Sequence, residues 1–70
     1  MNSEEVVLIG SIGAGVGAVA HDKLGVSTGN ALYDAVIGLV VTGIGYYTKY
    51  DGISDGIEGF GIGYFLSSIL

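Results

Sequence analysis

The sequence predicts an all-α fold, an antiparallel helical hairpin with a short first helix and a longer second arm. Three observations carry this expectation. Charge-free apolar runs cover residues 6–20, 35–48 and 59–70 without the period-two polar alternation of half-buried strands. No proline interrupts the 70 residues, so nothing obliges a long helix to stop. Small residues recur at steps of three and four, the spacing of one helical face.

The first helix is expected over residues 3–24. Ser3 is placed to cap it, and Glu4 and Glu5 fall in the first turn, where the helix dipole favours acids. Lys23 lies near the far end, and Gly25 suits the left-handed residue that stops a helix. His21, Asp22 and Lys23 read as a polar helix end, since one His beside one Asp makes no metal site. The cluster Val26-Ser-Thr-Gly-Asn30 marks a turn over 25–30. Asn30 or Ser27 can cap the next helix, and a link this short implies antiparallel neighbouring helices.

The second arm is expected over 31–69, completing a single unit of residues 1–70. Steps of four and three from residue 31 meet Ala31, Ala35, Gly38, Thr42, Gly45, Lys49, Gly52, Gly56, Gly59 and Gly63. Every one but Lys49 is small, and such a stripe lets helix backbones approach closely. Gly10, Gly13, Gly17 and Ala20 form a shorter version in the first helix. The stretch GISDGIEGFGIG (52–63) has five glycines in twelve residues and so is a poor helix former, at about 1 kcal/mol per Gly relative to Ala. Its spacing favours a glycine-seamed helix. A bend at 51–54, with Ser54 capping a third short helix, is the alternative. The face opposite the stripe carries Tyr33, Val36, Ile37, Val40, Ile44 and Tyr47, so the arm is apolar all round and buried all round.

Composition narrows the function. Half of the residues are hydrophobic and 13% charged, with a mean hydropathy of +0.68. That is too apolar for disorder and unusually apolar for a soluble monomer. Without cysteine no disulfide staples so small a chain, which leaves very good packing, a membrane or an oligomer to stabilise it. Net charge is −5, with two lysines and no arginine, so no basic groove for nucleic acid is expected. Glu4 and Glu5 stand where a signal peptide carries positive charge, which argues against cleavage after the small residues 18–20.

No phosphate-binding glycine motif occurs in a strand–turn–helix context, and His21 has no activated serine near it in sequence. Neither an enzyme nor a bound cofactor is expected. Asp51, Asp55 and Glu58, at i, i+4 and i+7, put three carboxylates on one helical face. They suit an acidic patch near Lys49 better than a cation site. Asp34 reads as an acid at a helix N-terminus, favoured by the dipole, rather than an ion-translocating group. Lys49, as the charge in a small-residue stripe, needs an anion: Asp51, Asp55 or Glu58 of a neighbouring copy, or a phosphate. Lys23 and the terminal amine are the other cations.

Two resemblances rest on these residues. The Gly-rich first helix (Gly10, Gly13, Gly15, Gly17), polar turn and second apolar helix resemble a rotary ATPase proteolipid subunit. The chain departs from that family, with no Arg-Gln-Pro-like loop and no acid midway through 35–48. The capped helix 3–24, turn 25–30 and long apolar arm 31–70 resemble the major coat proteins of archaeal rod-shaped and spindle-shaped viruses. That resemblance implies a self-assembling capsid protein of the virion, its partner many copies of itself, enclosing DNA through few direct contacts. The alternative is a small integral membrane protein in contact with lipid, either a holin-like pore former or an accessory subunit of a membrane complex. Apolar runs of 12 to 15 residues fall short of the roughly 20 needed to span a bilayer. The tyrosines at 33–64 are spread along the sequence, not banded as at membrane interfaces. Both features favour the coat reading.

Overall fold

Asn2, not Ser3, starts the first helix: its side-chain oxygen accepts the Glu5 amide at 2.9 Å. This computed structural model describes residues 2–70 and contains three helices, α1 (Ser3–Asp22), α2 (Ala31–Tyr47) and α3 (Ile53–Ile69), with no strand among the described residues. α1 ends at Lys23, where Gly25 at φ +69° lets the Val26 amide reach back to the Ala20 carbonyl at 3.0 Å. Asn30 caps α2, accepting the amides of Leu32 and Tyr33.

The second arm is not one helix. Residues 48–52 separate α2 from α3, and Gly52 turns the chain at φ +83°, a left-handed conformation that side chains resist. Ser54 does not cap α3, because it already lies inside the helix. Its hydroxyl instead donates to the Gly45 carbonyl at 2.6 Å, beside the Thr48 amide that the same carbonyl accepts at the end of α2. The third helix spans 17 residues, longer than the short piece that a bend at 51–54 suggests.

Helix order across the molecule also differs from a hairpin of sequential neighbours. Gly10 lies against Gly59, Ala14 against Gly63, and His21 against Ser67, so α1 and α3 run parallel. Gly38 lies against Gly61 and Phe65, and Gly45 against Glu58, so α2 and α3 run antiparallel. α3 therefore stands between α1 and α2, which do not pack on each other. The link 23–30 must cross the end of α3, a path its eight residues can span at about 3.3 Å each.

Backbone contact explains the glycines. A Cβ on Gly17 would fall on the Phe60 carbonyl oxygen, and one on Gly63 on the Ala14 carbonyl oxygen. A Cβ on Gly38 would lie 2.8 Å from the Phe65 amide nitrogen, and one on Gly45 2.6 Å from that of Glu58. Gly13 meets Gly56 and Phe60 in the same way. The predicted stripe is thus divided: Ala35, Gly38, Thr42 and Gly45 face α3, whereas Gly56, Gly59 and Gly63 face α1. Ala31 is exposed, and Gly52 and Lys49 belong to the connection. Gly61, outside the stripe, supplies the second small edge of α3, directly against Thr42.

Candidate functional site

Packing of this kind puts glycine inside and large apolar side chains outside. The buried hydrophobic residues are Ala20, Ala35 and Tyr64. Leu8, Ile12, Val16, Leu39, Val40 and Ile62 are all 46–61% exposed. The accessible surface of 4576 Å² exceeds the roughly 4,100 Å² expected of a compact monomer this size. The outer surface is therefore one of two candidate sites, and a polar node at one end is the other.

Charge sits at the two ends of the outer surface. With α1 and α3 parallel and α2 opposed, Glu4, Glu5, Lys49, Asp51, Asp55 and Glu58 gather at one end. Asp22, Lys23 and Asp34 lie at the other. Folding also sorts the tyrosines, and here the spread seen along the sequence misleads. Tyr33 is exposed at the Asp34 end of α2, and Tyr46, Tyr47 and Tyr50 are exposed at the Lys49 end. Tyr64 is internal, 3% exposed, its hydroxyl donating to the Val26 carbonyl at 2.6 Å. The 14-residue rise from Tyr33 to Tyr47 is about 21 Å. α1 is long and apolar enough to cross a membrane, with a window hydropathy of 1.4, and α2 is a shorter apolar helix.

Lys49 does not occupy a packed seam. It is exposed in the 48–52 link, which removes the reason for requiring a buried anion. Asp51 lies in the same link, so only Asp55 and Glu58 of the expected acidic face share a helix. Glu58 Oε1 lies 3.0 Å from Ser54 Oγ. Lys23 is exposed at the opposite end from Lys49, and the two lysines form no common basic surface. The terminal amine lies outside the described residues.

The polar node was not visible from sequence. Asp34, in the first turn of α2, is 2% exposed and folds back over the link rather than serving only the dipole. Its Oδ2 accepts Ser27 Oγ at 2.5 Å and lies 3.0 Å from His21 Nε2. Its Oδ1 accepts the Thr28 amide and hydroxyl, both at 2.8 Å. Four donors on two oxygens saturate an ionised carboxylate. On the other side of the imidazole, Nδ1 lies 3.0 Å from Ser67 Oγ and 3.2 Å from Asp22 Oδ1. The Tyr64 ring meets the imidazole edge-on, with centroids 5.0 Å apart. His21 joins residues 13 and 46 positions away, and no local sequence signal marks such partners. The concentration of Ser27, Thr28, Asn30 and Asp34 in an apolar chain was the available hint.

Ser67, His21 and Asp34 have the composition of a nucleophile–base–acid relay, but the geometry does not make one. The Ser67 proton goes to Asp22 Oδ1 at 2.5 Å. Ser67 also lies inside α3, whose backbone amides are bonded within the helix and cannot form an oxyanion hole. Among the described residues, no three potential ligands gather as a metal site.

The charges of the node follow from its bonds. Hydrogen bonding to Asp34, then to Asp22, raises the His21 pKa above its ordinary 6.5. The Ser27 hydroxyl and Thr28 amide hold the Asp34 carboxyl well below its usual 3.8. The Ser67 hydroxyl, then His21, lowers that of Asp22. A raised folded-state His stabilises below 6.5 and loses that contribution as pH rises through its folded value. A depressed Asp stabilises above 3.8 and loses it as pH falls. Thermal stability should therefore be greatest between about pH 4 and 6.5 and decline on both sides. Melting followed by circular dichroism checks this, and stability rising above pH 6.5 would contradict the assignment.

Comparison with protein-family models, curated proteins and solved structures finds no match. The fold and surface define the chain only as a small, glycine-seamed, all-α protein whose apolar side chains face outward.

Proposed function

We propose that the chain is a non-enzymatic structural protein embedded in a lipid bilayer. One observation carries the reading: an apolar surface runs all round the three helices and ends, top and bottom, in charged residues and exposed tyrosines. Amphipathic rings favour the two headgroup levels, and charges favour the water beyond. Close packing through small residues is also how helices associate where lipid removes the hydrophobic drive between them. In this reading residues 6–20, 35–47 and 59–66 form the membrane belt, and the His21–Asp34 node lies at its rim.

The belt is short. About 21 Å between tyrosine levels compares with about 30 Å of hydrocarbon, and mismatch costs fractions of a kcal/mol per Å. Covering a half-exposed Leu or Ile instead gains about half of the roughly 1.5–3 kcal/mol of full burial. A dozen such side chains outweigh the mismatch, so some apolar phase covers them. The short belt favours a second reading, in which identical copies provide that cover, as in the coat of a virion around DNA. Lys23 and Lys49, at opposite ends, would offer the DNA little direct contact.

Flotation with phosphatidylcholine or archaeal-type lipid vesicles separates the two. The membrane reading expects the full chain to float with the vesicles, to resist extraction by alkaline carbonate and to require detergent for solubility. Regular filaments or shells formed without lipid or detergent would overturn it and support the coat.

A further inference from the structure

The neutral and charged forms of His21 are not equally served by their surroundings. Nε2 faces Asp34 Oδ2 at 3.0 Å, and an ionised carboxylate only accepts, so Nε2 carries a proton. Nδ1 faces Ser67 Oγ at 3.0 Å and Asp22 Oδ1 at 3.2 Å. One hydroxyl proton is available between those two oxygens, and it lies toward Asp22. In a neutral ring, Nδ1 would be a bare lone pair set against a carboxylate oxygen. Turning the Ser67 proton to Nδ1 would only transfer the deficit to Asp22. A second ring proton resolves both: Nδ1–H donates to Asp22 and Ser67, while Ser67 still donates to Asp22.

We propose that His21 is held as an imidazolium and that its deprotonation loosens this end of the molecule, as a proton-operated latch: the Nδ1 proton facing Asp22 and Ser67 is lost, and the Nε2–H bond that ties α1 to α2 at Asp34 loses its charge. The two helices do not pack on each other. Their direct link is the His21–Asp34 pair, with the link 23–30 pinned beside it by Thr28 on Asp34 and by Tyr64 on Val26. The groups facing the imidazole are Asp22 from α1, Asp34 from α2, and Ser67 and Tyr64 from α3. Ser27 and Thr28 occupy the remaining Asp34 lone pairs, and Lys23 is exposed. Two carboxylates against no facing cation favour the charged ring. The imidazole keeps 15% of its side-chain surface exposed, which gives solvent protons access.

The test uses uniformly ¹⁵N-labelled full chain, which has one histidine, in detergent micelles, titrated from about pH 5 to about pH 9. Both ring nitrogens are expected to show the protonated pattern near neutrality, with a midpoint above 6.5. The Thr28 amide resonance should move with the same midpoint as the node loosens. His21→Gln should abolish the Thr28 response, and Asp22→Asn, at an exposed side chain, should lower the midpoint even if His21→Gln fails to fold. An unprotonated ring nitrogen at about pH 6 overturns the proposal. So does an Asp22→Asn midpoint equal to that of the parent chain, or a Thr28 response that survives in folded His21→Gln.

Discussion

Gly17→Ala and Gly63→Ala are each expected to destabilise the fold by about 1–3 kcal/mol or more, although alanine is the better helix former. At these positions the added methyl falls on a carbonyl oxygen of the neighbouring helix, Phe60 for Gly17 and Ala14 for Gly63. Backbone cannot move aside as a side chain can, so the helices must separate and lose contact along their length. Gly15 and Gly43 provide the control, because a Cβ there meets nothing within 4 Å. Alanine at those sites should stabilise by about 0.5–1 kcal/mol. The opposite signs distinguish a packed seam from general glycine flexibility. Denaturant titration in a fixed detergent reads all four, and a Gly63→Ala chain as stable as Gly15→Ala would remove the seam.

Asp34→Asn is expected to lower the melting temperature more than any other single polar replacement in the chain. The carboxylate accepts from Ser27, Thr28 twice and His21. An amide of the same size must turn its NH₂ toward two of those donors and leave them without acceptors. It also removes the charge that balances His21. The acid limb of the pH–stability profile should shrink to the part that Asp22 contributes, and the His21 midpoint should fall. Ser67→Ala and Thr42→Ala serve as comparisons, since each removes a hydroxyl without orphaning a buried charge. Asp34→Asn melting with Ser67→Ala would show that the node is not central to the fold.

The helical class, the end of α1 and the start of α2 were legible in the sequence because they are local properties, whereas the expected single arm over 31–69 is two helices. Asn30 caps α2 and Gly25 turns the chain after α1 at the positions their residue types indicate. Exceptions were also local: Asn2 caps in place of Ser3, a shift of one residue. The small-residue spacing indicated which faces pack, and Gly13, Gly17, Gly38, Gly45, Gly59 and Gly63 do lie against backbone. It did not indicate which helix each faces, because a stripe records a face and not a partner.

The all-α class, the small-residue edges and the high apolar content are therefore properties of local sequence. The order α1–α3–α2 emerges only when the helices pack. Gly56, Gly59 and Gly63 on one side of α3 and Gly61 on the other let it approach two neighbours at once. The break at 48–52 follows from that placement, since one continuous arm could not return α3 between α1 and α2. The same crossing brings His21, Asp34 and Ser67 together from three helices. Periodicity and capping act over a few residues. Partners 13 and 46 positions apart are chosen by how closely backbones can approach.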